Sequence, residues 1–286
     1  MSSHHLPYIA NCSIMFTELP LLERAGAAKA AGFDAVEFWW PFAGPVPPHS
    51  GIDAFARSIR DAGVRLAGLN FFAGDLAGPD CGVLSIPARS TEFRDNIDVA
   101  VGIGERLGCR AFNALYGNRT DDSTPDEQDA LAAENLALAA RAVQRIGGTV
   151  LVEPVSGAPR YPLLTARDAL AAIDRAGAEN IALLLDVYHL AVNGDDVDAA
   201  IDTAAGRIGH VQIADDPGRG APGTGSLPLA ELLGLLRERG YEGWVGLEYK
   251  PGDRPSAEAF DWLPREARAA RTVRAAGPAH PTHTAR

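Results

Sequence analysis

Residues 149–189 read TVLVEPVSGAPRYPLLTARDALAAIDRAGAENIALLLDVYH, and this stretch decides the fold class. TVLVEP and IALLLDV are almost uninterrupted apolar runs, which is typical of parallel strands covered on both faces, whereas half-exposed strands alternate. Between them, TARDALAAIDRAG repeats apolar residues at the spacing of one helix face and ends in glycine. The stretch therefore predicts a strand–helix–strand unit with parallel strands.

The same unit repeats along the whole chain. Further strands are predicted at 8–15, 35–40, 64–70, 110–115, 208–213 and 243–249, and further helices at 21–32, 91–108, 126–147 and 229–240. Eight units in 286 residues average about 36 residues each, as expected of a (β/α)₈ barrel. A doubly wound open sheet is disfavoured because no glycine-rich phosphate turn follows the first strand. We predict an α/β fold with one TIM-barrel domain over 1–276 and a disordered tail over 277–286.

The predicted helices carry recognisable start and stop residues. Ser90, Thr124 and Thr165 stand where an N-cap hydroxyl would accept a hydrogen bond from the first turn. Glycines that would end helices in the left-handed conformation precede the strands at positions 32, 63, 108, 147, 177 and 240.

Composition excludes several classes of function. With 37 acidic and 26 basic residues the net charge is −11, which disfavours nucleic acid as a partner because phosphate binding depends on Lys and Arg. Cys12, Cys81 and Cys109 are too widely spaced for a zinc knuckle, so we expect reduced, buried thiols. The sequence has neither a signal peptide nor an apolar run of about 18 residues. We expect a soluble, cytoplasmic protein without a membrane partner, and the sequence leaves a homo-oligomer open.

Polar residues end most of the predicted strands. In a TIM barrel the carboxyl ends of the strands form the active site, and these ends supply Glu37, Asn70, Asn113, Glu153, Asp186, Gln212 and Glu248. A single carboxylate in such a place is often only a helix cap or the partner of an arginine. However, Glu153, Asp186, Gln212 and Glu248 come from four consecutive units at similar spacing, so we expect them to converge at one barrel mouth.

Three buried carboxylates and an amide need a cation to offset their repulsion. Ligands that are all oxygen suit a hard ion, so the sequence predicts one Mg²⁺ or Mn²⁺ bound by Glu153, Asp186, Gln212 and Glu248.

Further residues are candidates for contact with a substrate. His189 leaves a strand beside Asp186, and its imidazole could hydrogen-bond a substrate oxygen. Arg219, in a loop rich in glycine and proline, could bind a carboxylate or could simply be solvated. The strand-end residues Asn70 and Asn113 are further candidates for substrate binding. Trp40 belongs to an aromatic cluster that could wall the pocket or cap the barrel, and the sequence leaves both open.

These segments resemble the hydroxypyruvate isomerase family of the xylose-isomerase-like barrel superfamily. The resemblance lies in MFTELPLLERAGAAKAAGFDAVEFWWPF (15–42), LVEPV, LLLDVYHL, GHVQIADDPGRGAPGTGSL (209–227) and GYEGWVGLEYKP (240–251), and it runs from about residue 8 to 265. It implies that Glu153 and Glu248 form an acid–base pair in addition to binding the metal, with Glu153 as the base. It also implies that His189 and Arg219 contact substrate oxygens. Gln212 stands where the sugar epimerases of the superfamily have histidine.

The implied activity is a metal-dependent isomerisation of hydroxypyruvate to tartronate semialdehyde. The alternatives are a 2-oxo-tetronate isomerase, a keto-sugar 3-epimerase, and a non-catalytic barrel that binds a sugar acid. A related metal-dependent endonuclease would need a histidine-rich site, but four of the seven histidines lie in the terminal segments. We therefore expect a small 2-oxo-acid or keto-sugar as the substrate.

Overall fold

The computed structural model describes residues 5–76 and 79–269, and its central feature is a closed barrel. Within those residues, eight parallel strands pair in chain order and the last closes on the first. They are β1 Tyr8–Asn11, β2 Ala35–Phe38, β3 Arg65–Asn70, β4 Ala111–Asn113, β5 Thr149–Val152, β6 Ile181–Asp186, β7 Ile208–Ile213 and β8 Val245–Leu247. The predicted (β/α)₈ fold is confirmed.

Helices follow the strands along the chain. They are α1 Leu21–Ala30, α2 His49–Ala62, α3 Ser90–Leu107, α4 Pro125–Gln144, α5 Ala166–Ala176, α6 Val187–Val192, α7 Val197–Thr203, α8 Leu229–Glu238 and α9 Arg265–Arg268. Short 3₁₀ turns lie at Pro87–Arg89 and Ser256–Glu258. Strand β7 has the predicted bounds and the other strands are shorter than predicted; β1 ends at Asn11 rather than at residue 15. Asn11 is therefore a polar residue at a strand end, and the sequence interpretation did not identify it as one.

Two of the three expected N-caps are confirmed. Thr124 and Thr165 each accept a hydrogen bond from the third residue of their helix, whose carboxylate returns one to the cap. Ser90 is wrong as an N-cap. The 3₁₀ turn before it runs directly into α3, so the Ser90 N–H bonds to the Pro87 carbonyl and the residue is already helical. Its hydroxyl instead accepts a hydrogen bond from Asn135 on α4. All six helix-ending glycines have positive φ, as predicted.

The three cysteines are buried and unpaired, in agreement with the sequence. Among residues 5–76 and 79–269 no helix has the length and apolar character needed to span a membrane. The predicted tail over 277–286, with His280 and His283, lies outside the described residues, and the boundary at 276 stays a prediction.

We expect opposite effects from two alanine substitutions on α3. A methyl group at Gly104 would collide with the Phe112 ring of β4, and such overpacking usually costs about 1–3 kcal/mol. At Gly102 a methyl group would meet no atom within 4 Å, so the higher helix propensity of alanine should stabilise the protein by roughly 0.5–1 kcal/mol. Urea unfolding of Gly104→Ala and Gly102→Ala measures both changes, and equal effects would contradict the packing argument.

Candidate active site and metal centre

Every strand of the barrel delivers a polar side chain at or just beyond its carboxyl end. In chain order these are Asn11, Glu37, Asn70, Asn113, Glu153, Asp186, Gln212 and Glu248. Each is no more than 7% exposed. The convergence predicted for the four candidate ligands is therefore part of a complete ring of eight polar groups at one end of the barrel.

Three potential ligands lie together on the second half of the barrel. One donor atom from each of Glu153, Asp186 and His189 lies within 4.8 Å of the others. Gln212 is the register partner of Asp186 on the neighbouring strand, so its amide belongs to the same cluster. Glu248 follows β8 and raises the pKa of Glu153 by charge repulsion, after the larger effect of burial.

Asp186 combines the roles of helix cap and candidate metal ligand, which the sequence analysis treated as alternatives. Its Oδ1 accepts a hydrogen bond of 3.1 Å from the His189 N–H and so caps α6. Its Oδ2 lies 3.8 Å from His189 Nε2. One carboxylate oxygen is thus committed to the helix, and the other faces the cluster.

The orientation of Gln212 is fixed by Glu37. The Glu37 carboxylate can only accept, so it is the Gln212 Nε2 that donates to Glu37 Oε1 over 2.8 Å. The Gln212 Oε1 is then turned away, and among the described residues this buried atom has no hydrogen-bond partner. An unpartnered buried carbonyl oxygen is costly in itself, and a bound cation would satisfy it.

Glu248 is surrounded by donors. Asn11 Nδ2 donates to its Oε2 over 2.9 Å, and Arg219 forms an ion pair with its Oε1. The Trp39 side chain donates a further hydrogen bond. Asn11 was missed at the sequence level, and Trp39 was considered only as a member of the aromatic cluster around Trp40.

The loop after β7 holds Arg219 in place. Its backbone is in the left-handed region at φ 57°, its carbonyl accepts from Lys250 N over 2.8 Å, and its Nε donates to the Glu248 carbonyl. The guanidinium also lies 5.5 Å from the centre of the Tyr188 ring. The loop itself is organised by the buried Asp215 carboxylate, which accepts from the N–H groups of Gly223 and Leu227. Arg219 is therefore not a solvated loop residue.

His189 presents a donor to the cavity. Its Nδ1 accepts a hydrogen bond of 3.0 Å from the Ser156 N–H, which leaves the ring proton on Nε2. Burial lowers the pKa of His189 to about 4, so the ring is neutral near pH 7. A protonated Nε2 cannot bind a cation, and we therefore assign His189 to hydrogen bonding rather than to the ligand set.

Burial dominates the electrostatics of the two glutamates. It raises the pKa of Glu153 well above its usual value, and the charges of Glu248 and Asp186 raise it further, against a hydrogen bond from Asn113 Nδ2 of 2.6 Å. Burial also raises the pKa of Glu248 to about 8, although Arg219 opposes this. Both carboxyls therefore hold protons near neutral pH more readily than exposed glutamates do.

A cavity of about 600 Å³ opens above the cluster. The catalytic candidates Glu153 and Glu248 line it together with His189, Arg219 and Asn70. Its outer wall comes from the loops after β3, β4 and β5, with Cys81, Pro79, Leu115, Asn118, Ser156 and Arg160 among the lining residues.

The expected place of Trp40 needs correction. Trp39, not Trp40, is among the described residues that line the cavity. The Trp40 indole donates to the Gly44 carbonyl and its ring packs edge-on against Phe42, because successive residues leaving a strand point in opposite directions. Of the two tryptophans, Trp39 is therefore the one that walls the pocket.

The donor set fits a hard divalent cation. Glu153, Asp186 and Glu248 are like-charged and buried, and Gln212 Oε1 is unpartnered, so a cation would relieve repulsion and satisfy a carbonyl oxygen together. Asn113 Oδ1 is a second buried oxygen without a partner among the described residues. The oxygen-only set is what Mg²⁺ or Mn²⁺ prefers.

Comparison with known proteins agrees with the fold. A sequence model described as xylose isomerase-like TIM barrel matches residues 25–266. The chain belongs to the xylose isomerase-like TIM barrel family. It is 60% identical over 269 residues to a putative hydroxypyruvate isomerase of Streptomyces coelicolor, with 91% of this chain and 96% of that protein covered. It is 33% identical over 248 residues to the hydroxypyruvate isomerase of Escherichia coli, with 86% and 94% covered.

Two further similarities mark the breadth of the family. A 2-oxo-tetronate isomerase of Cupriavidus necator is 34% identical over 258 residues, covering 90% of this chain and 96% of that protein. A crystal structure titled AP endonuclease, family 2, from Brucella melitensis superposes with a TM-score of 0.81 at 34% identity, covering 90% and 97%. The named relatives identify this member of the xylose isomerase-like TIM barrel family as an isomerase-type enzyme.

The raised pKa of Glu248 predicts how the metal-free protein responds to pH. With a folded pKa of about 8 against 4.5, the folded chain retains a proton that the unfolded chain releases. This group therefore lowers stability as the pH rises from about 4.5 to about 8. With chelator present, we expect the melting temperature of the wild type to fall relative to Glu248→Gln between pH 5 and pH 8. The exposed Glu238→Gln serves as the control, and parallel curves for wild type and Glu248→Gln would contradict the prediction.

Proposed function

We propose that this protein is a metal-dependent isomerase that interconverts hydroxypyruvate and tartronate semialdehyde. The observation that carries the proposal is the pair of buried glutamates, Glu153 and Glu248, which line one cavity beside an oxygen-only donor set. The similarity to proteins named hydroxypyruvate isomerase supports this choice of substrate.

Glu153, Asp186, Gln212 and Glu248 would hold one Mg²⁺ or Mn²⁺. When bound, such an ion would polarise the carbonyl of the substrate and stabilise the negative charge that develops during proton transfer. Glu37 already directs the Gln212 oxygen away from itself, and Asp186 keeps Oδ2 clear of its helix-capping bond.

The two glutamates would move the protons. Glu153 takes a proton from the hydroxyl-bearing carbon, which leaves an enediolate, and Glu248 returns a proton to the former carbonyl carbon. The hydroxyl proton is lost as the aldehyde forms, and the former carbonyl oxygen gains one, so the reaction is an isomerisation without net change. Both pKa values are raised in the metal-free protein, and a bound cation would lower them and keep the base ionised.

The neighbouring side chains would hold the substrate. The His189 Nε2–H is available to donate to a substrate oxygen because Ser156 occupies Nδ1. Arg219 lies at the cavity with its charge directed at Glu248, where it can also meet a substrate carboxylate. Asn70 lines the same wall, and Asn113 holds Glu153. Trp39 takes the place expected for Trp40.

A four-carbon 2-oxo-tetronate is the second candidate substrate. The cavity of about 600 Å³ extends from the glutamates to Asn118 and Arg160, which leaves room for a longer chain than a three-carbon acid. The 34% identity to a 2-oxo-tetronate isomerase supports the same possibility. A keto-sugar 3-epimerase is less well supported because Gln212 replaces the histidine typical of those enzymes. Nuclease activity is disfavoured by the net charge of −11.

Replacing either glutamate with glutamine should abolish turnover and leave the fold intact. Glu153→Gln and Glu248→Gln keep the side-chain volume but cannot exchange a proton, and general acid–base groups contribute about 10²–10⁴-fold to the rate. Steady-state rates on hydroxypyruvate at saturating Mg²⁺ measure the loss, with Glu238→Gln as the exposed control. Near-normal rates for either site variant would remove the two-glutamate mechanism.

Proton exchange should depend on the metal. In deuterated solvent, ¹H NMR of hydroxypyruvate with the protein and Mg²⁺ should show loss of the C3 proton signal, and excess chelator should suppress it. Parallel assays on 2-oxo-tetronate, fructose and tagatose define the substrate. Turnover of fructose or tagatose without turnover of hydroxypyruvate would replace our first choice, and no exchange on any substrate would favour a non-catalytic binding barrel.

The cytoplasmic location and a homo-oligomer stay predictions.

A further inference from the structure

The Glu37 carboxylate lies inside the barrel and is 3% exposed. Three side chains from two other strands point their donors at it. Gln212 Nε2 and Asn11 Nδ2 approach Oε1 at 2.8 and 3.1 Å, and His210 Nε2 approaches Oε2 at 2.6 Å. Glu37 thus accepts from three separate donors, two of which, Gln212 and Asn11, reach towards the proposed metal site.

The barrel makes room for this carboxylate at two glycines. A methyl group at Gly246 on β8 would collide with Glu37 Oε1 and would lie 2.9 Å from Gln212 Cγ. A methyl group at Gly68 on β3 would lie 3.2 Å from both Glu37 Cβ and Oε2. A side chain at Gly246 is thus excluded, and one at Gly68 would fit only if Glu37 shifted by a few tenths of an ångström.

His210 and Gln212 belong to the same strand and are separated by one residue. Their side chains therefore point to the same face of β7, and both meet the same carboxylate. His210 and Gln212 thus contact the carboxylate from the same strand. Because the carboxylate accepts hydrogen bonds, the Gln212 amide must turn its Nε2 towards it. The Gln212 Oε1 must then face the cluster formed with Asp186.

A second route leads from Glu37 to Glu248. The Asn11 amide bonds both carboxylates, at 3.1 Å to Glu37 Oε1 and at 2.9 Å to Glu248 Oε2. The Asn11 Oδ1 accepts from the Ser13 N–H over 2.9 Å, which fixes which end of the amide faces the two glutamates. Asn11 therefore ties the position of Glu248 to that of Glu37.

We propose that Glu37 is a positioning residue that orients two of the four metal ligands, Gln212 directly and Glu248 through Asn11. This inference rests on the proposed metal site but not on the identity of the substrate. Replacing a residue that hydrogen-bonds to a metal ligand without contacting the metal typically lowers metal affinity by about 10–100-fold. Glutamine at position 37 would have no charge and one acceptor oxygen instead of two, so it would hold the Gln212 amide less firmly.

Manganese affinity, measured by EPR of free Mn²⁺ without substrate, tests the proposal. We expect Glu37→Gln to raise the Mn²⁺ dissociation constant by about 10–100-fold. Glu18→Gln is the control, because the exposed Glu18 carboxylate accepts hydrogen bonds from Ser256 N and Oγ and contacts none of the proposed ligands. Asn11→Ala provides a second variant that keeps both glutamates, and we expect a smaller loss of affinity from it.

A double-mutant cycle separates positioning from a merely structural role. If Glu37 acts through Gln212, the Glu37→Gln change should cost less Mn²⁺ affinity in a Gln212→Ala background than in the wild type. Unchanged affinity in Glu37→Gln, or an equal loss in both backgrounds together with unchanged affinity in Asn11→Ala, would overturn the proposal. A wild type that binds Mn²⁺ and loses it in Glu37→Gln, yet does not turn over hydroxypyruvate, would instead refute only the proposed function.

Discussion

The burial of several carboxylates at one end of the barrel is the constraint on which the rest of the site depends. Removing an ionised carboxylate from water is expensive, and placing three within one cluster adds mutual repulsion. The effect is visible in Glu153 and Glu248, whose pKa values are both raised by burial before any neighbouring charge acts. A protein tolerates such an arrangement when something gained elsewhere offsets it. In the proposed metal site a cation would do this, because it would offset the three carboxylate charges and satisfy the unpartnered oxygen of Gln212.

The protein supplies part of the compensation itself. Arg219 pairs with Glu248, Asn113 donates to Glu153, and the α6 N-terminus donates to Asp186. In Glu153 and Asp186 the contact uses one carboxylate oxygen and leaves the other for the cluster, whereas both oxygens of Glu248 have partners. The carboxylates are thus held in place by donors of three kinds: strand-end asparagines, a loop arginine and a helix N-terminus.

The network around Glu37 extends this division of roles into the barrel. Glu37 is a carboxylate from the strand-end ring, yet it accepts from Asn11, His210 and Gln212. These contacts with Gln212 and Asn11 give Glu37 a positioning role, whereas Glu153, Asp186 and Glu248 are the proposed metal ligands. The same network distinguishes the Gln212 carbonyl oxygen from its amide nitrogen, which the sequence alone cannot do.

Much of the site could be predicted from the sequence because the strand period and the parallel fold are local properties. An apolar run that ends in Glu or Asp already places that side chain at the barrel mouth. The prediction failed where it needed an exact strand end or side-chain direction. Asn11 was missed because β1 was extended four residues too far, and Trp40 was chosen where Trp39 faces the cavity. Ser90 was assigned as a cap because the 3₁₀ turn before α3 leaves no clear signal in the sequence.

The sequence by itself determined the barrel and the four strand-end groups Glu153, Asp186, Gln212 and Glu248, since hydrophobic period and residue spacing are written along the chain. Only the tertiary structure decided which atoms of those groups are free. Ser156 determines which His189 nitrogen carries the proton, and Glu37 determines the orientation of the Gln212 amide. The loop residue Arg219 engages one oxygen of Glu248. These contacts join residues that are from 29 to 175 positions apart, and only closure of the barrel brings them within hydrogen-bond distance.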